Sequence, residues 1–338
     1  MRFHVLVTDE VDPDGLALLT SDPRLAVDEV PTLPPAELLD RIDRYDAIVG
    51  RSATRISGDL LRRATRLRVV GRAGVGVDNV DMATATALGI AVINAPAGNT
   101  VAVAELLFGS LLALKRKLVR AHTSLMDGRW DRSALLGTEL KGRTLGIVGV
   151  GRIGSEVATR ALAFGMDVVG YDPYVGDERF RALRIRRAPT LDALLPEVDI
   201  LTVHTPLTAE TTGMIGRREL ARLSPQAIVC NLARGGIVDE AALAHALQSG
   251  IVGGACVDVF ASEPVKGTHA FSGLDNVVLT PHIGASTAEA QRNVAVDVCV
   301  AVRDALVHGE LTRSLNVATV SGAEWRELQP AILVAHRA

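Results

Sequence analysis

The chain has 338 residues, of which 48 % are hydrophobic and 22 % charged, and its formal net charge is −3. A chain of this length accommodates two hydrophobic cores, and its composition is that of a globular protein rather than a disordered or membrane-spanning one. The small negative charge excludes a general attraction to nucleic acid or to an anionic membrane. The N-terminus lacks a signal-peptide pattern and the three cysteines are far apart, which together predict a cytoplasmic protein.

The first hundred residues alternate between short apolar runs and amphipathic segments. The predicted strands are 4–8, 25–30, 47–50, 67–71 and 91–94. The predicted helices are 13–19, 35–42, 58–64 and 82–88, with Ser57 and Asp81 as N-caps of the last two. This alternation predicts a small parallel sheet with helices on both faces, complete by about residue 96.

A long Ala- and Leu-rich helix is predicted from Asn99 or Thr100 to about residue 127, where Gly128 ends it. Its length suits a hinge between domains or a subunit interface. After residue 172, predicted helices at 191–195, 217–223 and 240–248 alternate with strands at 199–204, 227–232, 253–259 and 277–280. The arginine run 181–187 is interpreted as a solvated face. A last long helix, 287–308, could cross back to the first sheet, and the tail 318–338 has no assignment.

Residues 144–172 have the organisation of a dinucleotide-binding unit. An apolar strand is followed by G-x-G-x-x-G at Gly149, Gly151 and Gly154, then by a helix-like run and a second strand. The first glycine makes the tight turn, the second lets a pyrophosphate approach the backbone, and the third lets helix pack on strand. The helix N-terminus would hold the pyrophosphate, because its N–H groups and dipole favour an anion.

The second strand of this unit ends in Asp172. We expect this carboxylate to accept hydrogen bonds from the adenosine ribose hydroxyls. Because the same negative charge repels a 2′-phosphate, the sequence favours NAD over NADP as cofactor, and no metal site is expected.

Polar residues stand at the carboxyl ends of the predicted strands, where ligands bind in open parallel sheets. They are Arg51, Ser52, Arg72 and the segment 94–99 in the first sheet, and Asp172, His204, Thr205, Arg234, Asp258, Glu263 and His282 in the second. Arginine suits a carboxylate or phosphate, and histidine with a neighbouring glutamate suits proton transfer. Taken singly, Arg234 could form a surface ion pair, Glu263 could be a turn residue, and His282 could be a loop histidine. Together they predict an anionic substrate and proton transfer that accompanies hydride transfer.

The chain resembles the D-2-hydroxyacid dehydrogenase family, and within it the members that oxidise D-3-phosphoglycerate. The matching motifs, spread over about residues 3–317, include R-S-A-T (51–54), G-R-A-G-V-G-V-D-N-V-D (71–81), N-L-A-R-G-G-I-V-D-E (231–240), V-D-V-F-A-S-E-P (257–264) and T-P-H-I-G-A-S-T (280–287). The resemblance implies an α/β fold of two Rossmann-like or flavodoxin-like parallel-sheet domains. The substrate domain would be discontinuous, 1–98 with 284–317, around an NAD-binding domain at 99–283.

The resemblance also implies residue roles. Arg234 would orient the substrate, His282 would be the general acid/base, and Glu263 would pair with it. The residues implied to contact NAD are Gly149, Gly151, Arg152, Ile153, Gly154, Asp172, Pro173, His204, Thr205, Leu232, Ala233, Arg234, Asp258, His282 and Gly284. The residues implied to bind substrate are Arg51, Ser52, Arg72, Gly74, Val75, Asn99, Arg132, Arg234 and His282.

Arg132 resembles the arginine that a neighbouring subunit contributes, which implies a homodimer through the NAD-binding domain. The implied activity is oxidation of D-3-phosphoglycerate to 3-phosphohydroxypyruvate with NAD. One alternative is reduction of another 2-ketoacid, such as hydroxypyruvate, glyoxylate or a phosphonate analogue. Another is an NAD-sensing binding protein similar to transcriptional corepressors. A formate dehydrogenase is disfavoured, because that family pairs glutamine with the histidine where this chain has Glu263. Control through a regulatory domain is not expected within these 338 residues.

Overall fold

The computed structural model describes residues 2–311 and 313–317, so the unassigned tail 318–338 lies outside the described residues. The chain divides into two compact units, one made of the described residues up to Asn99 and from Ala285 onward, the other of Thr100–Gly284. Each unit is built on a parallel β-sheet. The predicted fold class is therefore confirmed, including the discontinuity of the first unit.

The first unit has a five-stranded parallel sheet in the order β2-β1-β3-β4-β5. Its strands are β1 (Phe3–Val7), β2 (Leu25–Glu29), β3 (Ala47–Gly50), β4 (Val69–Arg72) and β5 (Ala91–Asn94). Its helices in this part of the chain are α1 (Pro13–Thr20), α2 (Pro35–Arg41), α3 (Gly58–Arg63) and α4 (Met82–Ala87). Ser57 and Asp81 cap α3 and α4 as expected, each accepting a backbone N–H from the first turn. The central strand β3 is buried at every position, as its apolar sequence requires.

The second unit has a seven-stranded parallel sheet in the order β12-β11-β10-β9-β6-β7-β8. Its strands are β6 (Thr144–Val148), β7 (Asp167–Tyr171), β8 (Arg186–Arg187), β9 (Ile200–Val203), β10 (Ile228–Asn231), β11 (Gly254–Val257) and β12 (Val277–Leu279). Its helices are α5 (Thr100–Lys115), α6 (Leu118–Met126), α7 (Arg152–Ala163), α8 (Asp177–Leu183), α9 (Leu191–Leu194), α10 (Arg217–Leu220) and α11 (Glu240–Gln248). The strand order reverses at β6, between β7 and β9, and such reversal points are where doubly wound sheets bind ligands.

The last described helix, α12 (Ala288–His308), packs on α1 and across strands β3, β4 and β5 of the first unit. Two glycines allow the close approach. A Cβ at Gly15 of α1 would lie 2.6 Å from the carbonyl carbon of Ala295, and one at Gly71 of β4 would lie 2.6 Å from Val302 Cγ2. The sequence-based expectation that this helix returns to the first sheet is confirmed.

The prediction of a single long helix from residue 99 or 100 to residue 127 is wrong. Helix α5 ends at Lys115 and α6 begins at Leu118, with Lys117 between them in a left-handed conformation (φ 51°). The carbonyl of Lys115 accepts a hydrogen bond from Thr138 N at 3.0 Å, and Gly137 packs against it. Residues more than twenty positions away thus end α5. No helix-breaking residue near Lys115 indicates this end in the sequence.

The segment after Asp172 also differs from expectation. Part of the arginine run 181–187 belongs to α8, and Arg186 and Arg187 form the edge strand β8, paired with Val169 and Gly170 of β7. Both arginines are exposed, so the solvated interpretation holds for their side chains while the backbone completes the sheet. No helix in the described part of the chain combines the length and apolar character needed to span a bilayer.

Candidate active site

The glycine loop between β6 and α7 has the close contacts that its spacing predicts. Gly149 adopts φ 93°, and a Cβ there would lie 2.6 Å from the carbonyl oxygen of His204. A Cβ at Gly154 would lie 2.1 Å from the carbonyl oxygen of Gly149, so only glycine lets α7 pack this tightly on the turn. By contrast, a Cβ at Gly151 would meet nothing within 4 Å. The space beside Gly151 is open, at the N-terminus of α7.

Helix α7 begins at Arg152, and Gly151 is its N-cap residue. No side chain caps this end of the helix. The first-turn N–H groups, including those of Arg152 and Ile153, therefore have no side-chain acceptor and face the open space with the positive end of the helix dipole. This arrangement suits an anion.

Asp172 joins the end of β7 to the glycine loop. Its Oδ2 accepts the Val150 N–H at 2.9 Å and its Oδ1 accepts the Tyr174 N–H at 2.9 Å. The residue is 9 % exposed. Each carboxylate oxygen can accept a second hydrogen bond, so the anion remains able to bind a hydroxyl group beside the loop.

Two buried polar atoms at the end of β9 have no hydrogen-bond partner among the described residues. They are Nδ1 of His204 and Oγ1 of Thr205. The other imidazole nitrogen of His204, Nε2, lies 3.0 Å from Thr202 Oγ1. Buried polar atoms are nearly always paired, so these two atoms are candidates for contact with a ligand.

Burial keeps His204 neutral, because desolvation lowers the pKa of its imidazole from 6.5 to about 4. In the unfolded chain the imidazole takes up a proton below about pH 6.5, whereas in the folded chain it stays neutral down to about pH 4. Protons therefore favour the unfolded chain, and the protein loses stability as the pH falls from about 6.5 towards about 4. Between pH 7.5 and pH 5 we expect this residue to lower the free energy of unfolding by about 2 kcal/mol. Chemical denaturation at both pH values should show that the free energy of unfolding depends less on pH in His204→Asn than in the wild type. The same pH dependence in both proteins would contradict the prediction.

The loop after β10 carries Arg234 and is ordered by Asn231. The Asn231 amide donates to the carbonyl oxygen of Arg234 at 2.9 Å, and its Oδ1 accepts the Ala233 N–H at 3.2 Å. A Cβ at Gly235 would lie 2.0 Å from the carbonyl carbon of Phe260. The Arg234 loop is therefore in direct contact with the loop that carries Glu263.

Glu263 and His282 form a hydrogen-bonded pair. His282 Nδ1 lies 2.6 Å from Glu263 Oε2, and Glu263 Oε1 accepts the Phe260 N–H at 2.9 Å. Nε2 of His282 makes no hydrogen bond within the described residues, and its side chain is 48 % exposed. The carboxylate fixes the tautomer with the proton on Nδ1, which leaves Nε2 as the atom that accepts a proton from a ligand.

Asp258 holds the turn on which His282 lies. It is 1 % exposed, and its carboxylate accepts hydrogen bonds from Thr280 Oγ1 (2.6 Å), Ile283 N (2.8 Å) and Gly284 N (2.8 Å). His282 itself has a positive φ of 54°, which is uncommon for a residue with a side chain. The buried carboxylate thus stabilises an unusual turn and aims the imidazole. The sequence predicts a cofactor contact for Asp258, and that role remains a prediction.

In the first unit, the predicted substrate residues lie at the carboxyl edge of adjacent strands. Arg51 follows β3 and Arg72 ends β4. The Arg72 guanidinium lies against Gly74, where an added Cβ would be 1.3 Å from Nη1. The Arg51 side chain makes no hydrogen bond or ion pair with the described residues. Two cationic side chains thus border one edge of this sheet, which suits an anionic ligand.

The loop after β4 leaves a backbone donor available. The Gly74 carbonyl accepts the Ala95 N–H at 3.0 Å and the Val75 carbonyl accepts the Asn94 amide at 2.5 Å. The Val75 N–H makes no hydrogen bond within the described residues. The buried Oδ1 of Asn99 also has no partner among them. These atoms are consistent with the substrate-binding roles predicted for Gly74, Val75 and Asn99, which remain predictions.

The comparisons with known proteins decide the family. The family described as "D-isomer specific 2-hydroxyacid dehydrogenase, NAD binding domain" matches residues 108–284, a little over half of the 338 residues. The chain belongs to the D-isomer specific 2-hydroxyacid dehydrogenase family. The resemblance inferred from the motifs is confirmed.

Relatives match over most of this chain. A D-3-phosphoglycerate dehydrogenase of Synechocystis sp. is 41 % identical over 331 residues, which cover 98 % of this chain and 59 % of that protein. The crystal structure of the TT0316 protein from Thermus thermophilus has a TM-score of 0.84 and 36 % identity, covering 92 % of this chain and 99 % of that one. D-lactate dehydrogenase of Aquifex aeolicus, complexed with NAD and lactic acid, has a TM-score of 0.81 and 28 % identity, covering 93 % and 100 %. The chain spans about three fifths of the length of the curated relatives it matches.

NAD is the cofactor of this family's domain, and the residues of the second unit fit it. Gly151 leaves open space at an uncapped helix N-terminus, as a pyrophosphate requires, and Asp172 retains acceptor capacity for the ribose. The unpaired atoms of His204 and Thr205 lie next to the same loop. The other residues expected to contact NAD follow parallel strands or their turns, with Pro173 after β7, Leu232 and Ala233 after β10, and Gly284 after the His282 turn.

Arg132 lies in a short 3₁₀ segment, Arg132–Leu135, and is exposed. Its side chain makes no ion pair within the described residues. The predicted role of Arg132 in a neighbouring subunit's site therefore remains a prediction. Sequence reasoning missed the supporting roles of Asn231 and Asp258, because both act through backbone groups that only the folded turns bring near them.

Proposed function

We propose that this protein oxidises D-3-phosphoglycerate to 3-phosphohydroxypyruvate with NAD. The observation that carries the proposal is the His282–Glu263 pair, with its available Nε2, beside the loop of Arg234. A dehydrogenase of hydroxy acids needs such a base together with a cation for the substrate carboxylate. The relatives named D-3-phosphoglycerate dehydrogenase support the choice of substrate.

His282, Glu263 and Arg234 have different roles in the proposed reaction. His282 Nε2 takes the hydroxyl proton of the substrate, and Glu263 stabilises the imidazolium that results. Arg234 binds the carboxylate and the oxygen that becomes a carbonyl, so it stabilises charge as that charge develops. NAD supplies the acceptor for the hydride that leaves the same carbon. In the reverse direction His282 returns the proton to the carbonyl oxygen.

Arg51 and Arg72 distinguish the phosphorylated substrate from smaller acids. A guanidinium offers paired donors that match phosphate oxygens, and a hydrogen bond to a charged group contributes about 1.5–3 kcal/mol. The Val75 N–H would donate to the substrate carboxylate. A cytoplasmic location is part of the same proposal, because the reaction draws on a soluble intracellular cofactor.

The substrate assignment is tested by NADH oxidation with 3-phosphohydroxypyruvate, hydroxypyruvate, glyoxylate and pyruvate measured side by side. We expect kcat/KM to favour the phosphorylated acid. In Arg51→Gln, KM for that acid should rise about 10- to 100-fold, with little change for hydroxypyruvate. Arg63→Gln, at an exposed site on α3, is the matched control.

Preference for an unphosphorylated acid would contradict the substrate assignment and favour a reductase of hydroxypyruvate or glyoxylate. Absence of turnover on all four acids, together with tight NADH binding, would favour a sensor similar to corepressors. Either result leaves the family assignment intact.

We propose further that two copies of the chain associate through α6 and the segment that follows it. This stretch exposes several large apolar side chains, Leu118, Val119, Leu125, Met126, Trp130 and Leu136, and Trp130 is 81 % exposed. Exposed apolar side chains concentrated in one stretch indicate an interaction surface. Arg132 lies within it, so it could act in the partner's site.

Replacing Trp130 and Met126 with serine should give a monomer in sedimentation velocity, whereas the wild type sediments as a dimer. The monomer should also lose part of its preference for the phosphorylated acid if Arg132 acts across the interface. Replacement of Tyr174, an aromatic residue that is also 81 % exposed but lies outside this stretch, is the control. A wild type that sediments as a monomer would refute the proposed interface.

A further inference from the structure

The 51–54 loop of the first unit lies at a reversal point of its sheet. The loop connects β3 to α3, and β3 neighbours β1 in the order β2-β1-β3-β4-β5. The chain order reverses beside β1, so the loops after β1 and β3 flank the crevice where sheets of this order bind ligands. Asp9 lies in the first of these loops and Arg51 in the second.

Asp9 binds the N–H groups at both ends of the 51–54 loop. Its Oδ2 accepts Arg51 N at 2.8 Å and Thr54 N at 2.9 Å. Its Oδ1 accepts the hydroxyls of Thr54 at 2.6 Å and Thr32 at 2.7 Å. The residue is only 7 % exposed, and four donors are about as many as a carboxylate accepts. The buried charge is therefore fully compensated and fixes the loop ends.

Asn79 binds the carbonyl groups at the same two ends. Its amide nitrogen donates to Arg51 O at 2.9 Å and to Thr54 O at 2.7 Å. The N–H and C=O groups of both terminal loop residues are thus bonded by two side chains from other segments. A side chain with two N–H donors is required at position 79, since a carboxylate there would face two carbonyl oxygens.

The middle of the loop presents several hydrogen-bond donors. The N–H groups of Ser52 and Ala53 and the Ser52 hydroxyl make no hydrogen bond within the described residues, and Ser52 and Ala53 are both exposed. The Arg51 guanidinium is likewise unbonded there. The carbonyl acceptors of Arg51 and Thr54, at the loop ends, are already occupied by Asn79. Such a set of donors matches the oxygens of a phosphate group.

We propose that Asp9 and Asn79 are positioning residues that hold the 51–54 loop in the shape that binds the substrate's phosphate group. This inference rests on the proposed function, because it assigns the phosphate end of that substrate to this loop. Neither residue contacts the phosphate. Each acts through Arg51, Ser52 and Ala53, because its hydrogen bonds fix the two ends of the loop that carries their donors.

Asn79→Ala tests the proposal, with Asn316→Ala as the matched control. Asn316 is also an internal asparagine of the first unit that bonds backbone groups, those of Ile90 and Val92, at 2.9 Å. We expect Asn79→Ala to raise KM for 3-phosphohydroxypyruvate about tenfold or more, from two lost hydrogen bonds, with kcat and the KM for hydroxypyruvate nearly unchanged. Asn79→Gln should restore part of the difference. A purely structural role predicts equal changes for both acids, as in Asn316→Ala, and would overturn the proposal.

A second measurement separates this inference from the substrate assignment. Inorganic phosphate is titrated into deuterated apo-protein while the amide signals of Ser52 and Ala53 are followed by NMR. We expect shifts in the wild type and in Asn316→Ala, and their loss in Asn79→Ala and Asp9→Asn. If the wild type shows these shifts but no kinetic preference for the phosphorylated acid, the proposed substrate is wrong while the phosphate loop stands. No shift in the wild type overturns the loop proposal.

Discussion

Replacing His282 with asparagine is expected to lower kcat about a thousandfold in either direction of the reaction, within the range found for loss of a general acid or base. Asparagine at this position cannot carry the proton that Nε2 exchanges with the substrate. NADH affinity should fall far less than kcat, because the glycine loop and Asp172 remain intact. Steady-state kinetics together with fluorescence titration of NADH measure the two effects separately.

His245→Asn is the control for this variant, because His245 is an exposed histidine on α11 of the same unit. It should leave kcat unchanged. The kcat of Glu263→Gln should lie between those of His282→Asn and His245→Asn. The glutamine amide can still form a hydrogen bond with Nδ1, but it no longer stabilises a charged imidazole. A His282→Asn enzyme that retains more than about a tenth of wild-type kcat would refute the proton-transfer role.

Gly151→Ala is expected to weaken NADH binding by about a hundredfold while leaving the apo-protein folded, a loss of about 3 kcal/mol. The added methyl group would occupy space that is open in this structure, with no atom within 4 Å, and that a pyrophosphate needs. Its φ of −73° is allowed for alanine, so no backbone strain is introduced. Calorimetric titration of NADH and thermal unfolding of the apo-protein measure the two effects.

Substitutions at two other glycines serve as controls for this prediction. Gly109→Ala, also in open space but within α5, should change neither affinity nor stability beyond the small gain that alanine gives a helix. Gly154→Ala should destabilise the apo-protein, because its Cβ would lie 2.1 Å from the Gly149 carbonyl oxygen. Normal NADH affinity in a folded Gly151→Ala protein would show that the pyrophosphate binds elsewhere.

The features that sequence predicted best depend on residues close together in the chain. The glycine loop follows from three glycines within six positions, and the caps of α3 and α4 follow from Ser57 and Asp81. The prediction of the His282–Glu263 pair drew on more than spacing. Nineteen positions separate the two residues, so the motifs of the family were needed to associate them.

The break between α5 and α6 could not be read from the sequence around it. Residues 115–118 contain neither glycine nor proline, and the helical pattern continues across them. At the end of α5, Thr138 N donates to the Lys115 carbonyl oxygen and Gly137 packs against that oxygen. Likewise, β8 exists because β7 offers a free edge, and its two arginines carry no strand signal of their own.

The amino-acid sequence by itself determined the parallel α/β architecture and the dinucleotide loop, because these depend on periodicity, turn chemistry and short spacings. The roles predicted for the candidate catalytic side chains came from the resemblance to the family. Only the tertiary structure decided how those side chains are held. Asp258 fixes the His282 turn, and Asp9 and Asn79 fix the 51–54 loop. In the sequence Asp9 and Asn79 resemble ordinary turn residues, and Asp258 is predicted only to contact the cofactor. Their effect comes from hydrogen bonds to backbone groups 25 to 45 positions away, and a contact of that range exists only after the sheet has formed.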